Sequence, residues 1–123
     1  MSMYKLIILI PPNVDENSLD EAWPEFLHHA EQMPGLVRES VAHVREIIYG
    51  RKMFTRVYEF FFLDKETLYR SLTSPHGERA GQLIHEMTQG RATILAAEHR
   101  EDETENIIRA RAAQRSEGGL DEK

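Results

Sequence analysis

The chain has 123 residues, enough for one domain with a modest core. Its formal net charge of −6 gives no electrostatic reason to bind nucleic acid or an anionic membrane. It has no cysteine, and no apolar run is long enough for a membrane span or a signal peptide. We therefore expect a soluble cytoplasmic protein with neither nucleic-acid nor membrane partners.

The first two predicted elements are a strand and a helix. Residues 3–11 carry apolar side chains on both strand faces, and a Pro-Pro pair ends the strand. The helix is predicted from Ser18, where Ser-Leu-Asp-Glu matches a capping box, to about Gln32. Because Pro24 lies inside this range, the helix is expected to kink there or to begin near Asp20.

The next two strands are predicted to form a hairpin. The second strand spans residues 36–49, and the third spans residues 54–63, which are apolar on both faces. A turn centred on Arg51 pairs residues whose numbers sum to about 102, so Ser40 is expected opposite Phe62. Small side chains would then face large aromatic rings and leave volume between them.

Two helices and a last strand follow. Asp64 is a good cap for a short helix over Lys65–Leu72. Ser74, followed by proline, caps a longer helix that runs to about Gln89. Residues 91–99 are predicted to form the last strand.

This order of elements predicts one domain and a charged extension. A right-handed crossover gives an α+β, ferredoxin-like βαββαβ fold, in which a four-stranded antiparallel sheet has the order 4-1-3-2 and helices cover one face. The domain is predicted over residues 1–102. Residues 103–123 are expected to form a charged C-terminal helix and a disordered tail.

The second face of this sheet is also apolar and is expected to need a partner. Leaving its side chains in water would forgo roughly 1.5–3 kcal/mol for each one. Packing the bare faces of two copies together recovers this energy and predicts a homodimer, a dimeric α+β barrel. The side chains concerned are Ile7, Leu9, Val57, Phe61 and Leu63.

Four segments resemble those of a known family. They are the opening Tyr-Lys-Leu-Ile-Ile-Leu, the Met-Pro-Gly-Leu after the first helix, the strand Val-Tyr-Glu-Phe with the acid-capped helix that follows, and Leu-Thr-Ser-Pro-His-Gly. Over residues 3 to about 102 the chain resembles the EthD family of small dimeric α+β-barrel proteins. The family's first helix usually carries an aromatic residue and then a histidine, which Trp23 and either His28 or His29 match.

The resemblance implies a homodimer with a small apolar pocket between helices and sheet. The wider superfamily includes cofactor-free monooxygenases, isomerases, cyclases and haem-degrading enzymes. Fold alone does not choose among these activities.

Three residues are candidates for catalysis. His76 lies on the apolar stripe of the second long helix near its start, where the helix dipole favours a neutral imidazole that can exchange a proton with a ligand. His29 is expected to join it at the mouth of a cleft, and Tyr58 lies on the strand face that we assign to the helices. The alternatives are a structural histidine, a surface histidine and a core tyrosine, respectively.

Ligand contacts are expected on the apolar surfaces that face one another across the helix layer and the sheet. The predicted ligand-binding residues are Trp23, Phe26, Ser40, Phe60 and Leu83. The six histidines show no pair at i and i+4 on one helix and no compact ligand set, so we expect no metal. We also expect no cofactor, although the histidine spacing alone leaves a haem-type iron open.

A second polar group is predicted on the other sheet face. The expected register makes His43 and Glu59 neighbours there. Such a pair suits acid–base chemistry, or else a polar cluster that fixes how two copies pack.

Two classes of function remain open at this point. One is a cofactor-independent enzyme, of monooxygenase or isomerase type, acting on a small, largely apolar molecule that is aromatic or polyketide-like. The other is a non-catalytic binding or accessory protein of a degradation or biosynthesis pathway that uses the same pocket. The sequence favours a ligand-binding dimer.

Overall fold

The computed structural model describes residues 2–117, and this part of the chain contains four strands and four helices. The last residues of the predicted disordered tail, 118–123, lie outside the described residues. In chain order the elements are β1 Ser2–Ile10, α1 Glu16–Ala30, β2 Leu36–His43, β3 Arg56–Phe62, α2 Lys65–Leu72, α3 Pro75–Thr88, β4 Thr93–Arg100 and α4 Thr104–Glu117.

The four strands form one antiparallel sheet in the order β2-β3-β1-β4. This is the predicted order 4-1-3-2 read from the other edge, so the ferredoxin-like fold is confirmed. The strand β1 lies between β3 and β4, with Leu6 opposite both Phe60 and Ala96. The apolar character of β1 on both faces follows from this inner position.

The helix α1 begins earlier than predicted. Its cap is Asp15, whose carboxylate accepts hydrogen bonds from the backbone N–H of Ser18 at 3.3 Å and from the Ser18 hydroxyl at 2.7 Å. Ser18 is therefore the donor that completes the cap, and the predicted start at Ser18 or near Asp20 is wrong. Pro24 lies inside the helix.

The predicted hairpin register is also wrong. The strand β2 ends at His43 rather than at residue 49, and paired residues in β2 and β3 sum to 99 over most of the ladder. A shift of three residues moves every side chain of a strand to the other face. Ser40 therefore lies opposite Glu59, on the face away from the helices, and His43 lies opposite Arg56.

The cause of the register error lies in the connection between β2 and β3. The ladder continues one step beyond β2, where the Val44 N–H donates to the carbonyl of Thr55 at 2.9 Å. The chain then leaves the sheet, and Ile48 and Tyr49 are 90% and 97% exposed. Gly50 does have a positive φ of 100°, but it lies within a long loop and does not centre a tight turn.

The helices α1 and α3 pack against each other and cover one face of the sheet, which we call the helix face. The buried side chains between them are large and apolar, as the two-sided strand pattern predicts. They include Leu6, Ile8, Ile10, Leu19, Phe26, Phe60, Phe62, Leu83 and Ile84.

The other face of the sheet, which we call the open face, is partly covered by side chains of the same strands. Phe61 is only 3% exposed because the Arg38 guanidinium lies 4.2 Å from its ring centre and the His99 ring packs edge-on at 4.9 Å. The expectation that Phe61 needs a second copy for cover is therefore wrong. Other apolar side chains remain half-buried or exposed on the open face, namely Ile7, Leu9, Val57, Leu63 and Leu95.

The last helix, α4, lies within the predicted charged extension. Its side chains from Thr104 to Gln114 are exposed, and Ile108 is the more exposed of its two isoleucines. None of the helices in residues 2–117 is long and apolar enough to cross a membrane.

Candidate functional site

A cavity lies between α1, α3 and the helix face of the sheet. It holds about 350 Å³ of space between atoms, and this volume includes solvent space at its open mouth. Nearly all of its wall is apolar, so the groups that face the space prefer an apolar occupant. The lining includes Ile8, Phe26, Ala30, Phe60, Ala80 and Gly81.

Two predicted ligand contacts, Phe26 and Phe60, line this cavity. Their rings pack edge to face with centres 6.2 Å apart, one on α1 and one on β3. Phe26 is buried on the inner side of α1, and Phe60 is fully buried at the centre of the sheet. The two rings thus form the inner wall of the cavity.

The histidines His29 and His76 are in direct contact across the α1–α3 interface. Their Nδ1 atoms lie 3.0 Å apart, which is a hydrogen bond in which one ring donates and the other accepts. Neither ring lines the cavity, but Ala30 and Gly77, the next residues along each helix, do. The imidazole pair therefore ties the two helices together beside the cavity wall.

The surroundings of His29 disfavour its charged form. Burial lowers the pKa of His29, and the neighbouring His28, His76 and Arg79 lower it further, while Glu25 opposes them. The His28 ring centre lies 5.0 Å from that of His29. A neutral imidazole pair can accept or donate a proton at Nδ1, which is the chemistry that acid–base catalysis would use.

Tyr58 is paired with Trp23. The Trp23 indole N–H donates to the Tyr58 hydroxyl at 3.1 Å, and the two ring centres are 4.8 Å apart. Burial raises the pKa of Tyr58, while the hydrogen bond from Trp23 acts against this rise. Tyr58 is a neutral phenol in this setting, stacked on Phe60 and separate from the histidine pair.

Two carboxyl groups near Tyr58 were missed by the sequence analysis. Burial raises the pKa of Glu39, and a hydrogen bond with the Glu31 side chain raises it further. Glu39 lies on the helix face of β2 opposite Phe60. The corrected hairpin register brings it there, so the predicted register concealed this pair.

The remaining predicted contacts lie away from the cavity. Leu83 is buried in the core without lining the cavity, and Trp23 is half-buried beside Tyr58. Ser40 is on the open face, where its hydroxyl donates to Glu59 at 3.1 Å. The assignment of Ser40 to the helix-side pocket is therefore wrong, because the register shift reverses its direction.

Glu59 forms the centre of a polar group on the open face. The Lys5 ammonium donates to its carboxylate at 2.7 Å. Burial raises the pKa of Glu59, but the hydrogen bond and charge of Lys5 outweigh burial and hold the pKa below its usual range. The predicted neighbour His43 instead pairs with Arg56, so Glu59 has no histidine partner across β2 in this register.

Within residues 2–117, no three histidine, aspartate or glutamate side chains come together in a way that could hold a metal ion. Two hydrogen-bonded pairs of aromatic side chains lie near the cavity, His29 with His76 and Trp23 with Tyr58.

Similar structures place this geometry among known folds. An ethyl tert-butyl ether D (EthD) family protein from Bacillus halodurans matches with a TM-score of 0.73 and 22% sequence identity, covering 80% of this chain and 99% of that one. The chain shares the ferredoxin-like fold of EthD-type proteins. The resemblance predicted from the sequence is thus confirmed in the fold.

Two further structures have the same fold at lower similarity. A dimeric ferredoxin-like protein from Jannaschia, of unknown function, matches with a TM-score of 0.58 and 21% identity over 82% of this chain and 100% of that one. SnoaB, a cofactor-independent oxygenase from Streptomyces nogalater, matches with a TM-score of 0.56 and 13% identity over 84% and 94% of the two chains. No protein-family model matches the chain, and no curated protein matches it in sequence.

Proposed function

We propose that the chain forms a homodimer that binds a small, largely apolar molecule in the cavity between α1, α3 and the sheet. The cavity itself carries this proposal. Protein interiors are normally packed to the density of organic crystals, so an apolar cavity that reaches the surface is the feature that packing alone does not explain.

The homodimer rests on the open face. Ile7, Leu9 and Val57 form an apolar group beside the Lys5–Glu59 pair, and Leu95 adds to it from β4. An apolar centre with paired charges is a composition that suits a self-complementary twofold interface. The similar structure from Jannaschia is a dimeric protein, which supports the same arrangement here.

Binding without catalysis is the function that the polar groups favour. The Trp23–Tyr58 and His29–His76 hydrogen bonds satisfy these side chains within the chain, and none of the four lines the cavity. A catalytic acid or base must reach the reacting atoms. The cavity wall instead offers apolar contact.

A second candidate is a cofactor-independent oxygenase or isomerase. The contact between His29 and His76 beside the cavity wall favours it, since a neutral imidazole pair can take a proton from a ligand that displaces one ring. The likeness to SnoaB, a cofactor-independent oxygenase, also favours it. The shared fold alone does not decide between these candidates.

Emission from Trp23, the single tryptophan, provides a direct test. Its ring centre lies 5.0 Å from that of Phe26, which lines the cavity. In a screen of one- and two-ring aromatic compounds, binders are expected to change Trp23 emission and to raise the melting temperature. Ala80→Leu fills the cavity and is expected to abolish both responses, whereas Ala110→Leu on exposed α4 is expected to keep them.

Two results would contradict the binding proposal. One is the absence of any response across the screen, and the other is an equal response in folded Ala80→Leu. Turnover of a bound compound that His76→Gln slows, with the affinity unchanged, would establish the second candidate.

A further inference from the structure

The helix α3 carries two glycines, Gly77 in its first turn and Gly81 in its interior. Glycine is less favourable than alanine inside a helix, because it loses more backbone freedom on folding and contributes no side-chain contact. A glycine at such a position needs a reason. The two positions differ in whether the fold supplies one.

The fold explains Gly77. A side chain there would collide with the backbone carbonyl oxygen of Ser71 and would crowd the backbone of Leu72. The close approach of α2 and α3 at this point therefore requires glycine. Gly77 is a structural residue.

Packing and backbone conformation do not explain Gly81. Among the described residues, a Cβ atom added to Gly81 would meet no atom within 4 Å. Gly81 also lacks the positive φ that Gly35, Gly50 and Gly90 have. Alanine would fit this position without strain and would favour the helix.

The place of Gly81 in the cavity offers a reason. Gly81 and Ile94, which lies on β4, both line the cavity. Both residues are also exposed, Ile94 to 47%. Ile94 lies opposite Ile8, a buried cavity residue on the neighbouring strand. The cavity therefore opens to solvent between α3 and β4, with Gly81 on one side of the mouth and Ile94 on the other.

We propose that Gly81 is a specificity-determining residue that keeps this mouth open and sets the width of the ligand. This inference rests on the proposed binding function. A mouth with bare helix backbone on one side and a branched aliphatic side chain on the other fits a flat apolar molecule, such as a one- or two-ring aromatic compound. Any side chain at position 81 narrows the passage.

The test uses N-phenyl-1-naphthylamine, a neutral fluorescent probe of apolar sites, and indole as a narrower ligand. The variants are Gly81→Ala and Gly81→Leu. Gln82→Ala and Gln82→Leu are matched controls, because Gln82 is the next residue, is exposed and does not line the cavity. The leucine control measures any probe adsorption that an added surface leucine causes.

Both Gly81 variants are expected to melt a few degrees higher than the wild type, since the helix gains a better residue without a clash. Affinity for N-phenyl-1-naphthylamine is expected to fall several-fold in Gly81→Ala and at least tenfold in Gly81→Leu. Indole is expected to lose less than the wider probe in Gly81→Ala. The Gln82 variants are expected to bind both compounds like the wild type.

Three results would overturn the inference, and they are distinguishable. Equal binding of the wide probe by the wild type and by Gly81→Leu would refute the role of Gly81 and leave the binding function intact. A lower melting temperature in Gly81→Ala would show that packing requires the glycine. Failure of the wild type to bind either compound would contradict the proposed function and this inference together.

Discussion

The two faces of the sheet are built from adjacent residues but are covered in different ways. On the helix face, Phe60 is fully buried among apolar side chains of α1 and α3. On the open face, the adjacent Phe61 is buried beneath Arg38, Lys5 and His99. The two phenylalanine rings are therefore both buried, but the surroundings of Phe60 are apolar and those of Phe61 are rich in charge.

This difference explains why each face suits a different task. The helix face is closed by large side chains, and a gap between α1, α3 and the sheet is a cavity for a small molecule. The open face holds the Lys5–Glu59 pair among apolar residues, which can orient a second copy. The proposed division is a ligand on one side and a protomer on the other.

The largest expected effect is a difference in stability between variants of Phe60 and Phe61. Phe60→Ala removes a ring from the apolar core and is expected to lower the free energy of unfolding by about 3–5 kcal/mol. Phe61→Ala is expected to cost less, because water can hydrate the polar and charged groups that cover the ring once the ring is removed. Urea unfolding at one fixed protein concentration measures both, and a greater loss in Phe61→Ala would show that the open face carries the main core.

The next effect concerns the open face alone. Val57→Asp places a charge in the apolar group and is expected to weaken dimerisation at least tenfold, about 1.4 kcal/mol, because burying an unpaired charge is unfavourable. Tyr69→Asp, on the exposed side of α2, is the control and is expected to remain dimeric. Sedimentation equilibrium at micromolar concentration distinguishes them. A wild type that is monomeric there would disprove the homodimer.

The smallest effect concerns the histidine pair on the helix side. The folded state lowers the pKa of His29 below its ordinary value of 6.5, so the unfolded chain binds protons more readily. Protonation of His29 therefore does not affect the stability of the fold well above pH 6.5. The stability falls as the pH drops below 6.5, because the unfolded chain then binds a proton that the folded chain binds less readily. Urea midpoints at pH 7.5 and 5.5 are expected to differ less in His29→Gln than in the wild type or in the control His43→Gln, which changes an exposed histidine on β2. An unchanged pH difference in His29→Gln would show that another group causes it.

Local signals made the fold predictable. The cap residues Asp64 and Ser74 located the starts of α2 and α3. In the structure their side chains accept hydrogen bonds from the backbone N–H groups of Thr67 and Gly77, respectively. These interactions span three residues and depend little on the rest of the chain. Apolar patterns on both faces of β1 and β3 located the centre of the sheet.

The register and the cavity depend on more distant contacts and were less predictable. The loop between Val44 and Thr55 contains Gly50 with its positive φ, but nothing in its sequence fixes how many residues leave the ladder. The three-residue error reversed the direction of Ser40 and concealed Glu39. The cavity arises from a mismatch between the volumes of side chains on three elements, which no single segment encodes.

An NMR titration of the isoleucine δ1-methyl groups with N-phenyl-1-naphthylamine tests most directly whether the cavity between α1, α3 and the sheet binds an apolar ligand. Ile8, Ile84 and Ile94 line the cavity, whereas Ile7 lies on the open face. We expect the three cavity methyl signals to shift with a common affinity while the Ile7 signal keeps its position. A shift of Ile7 with the cavity signals unchanged would place the ligand on the open face and contradict binding in the cavity.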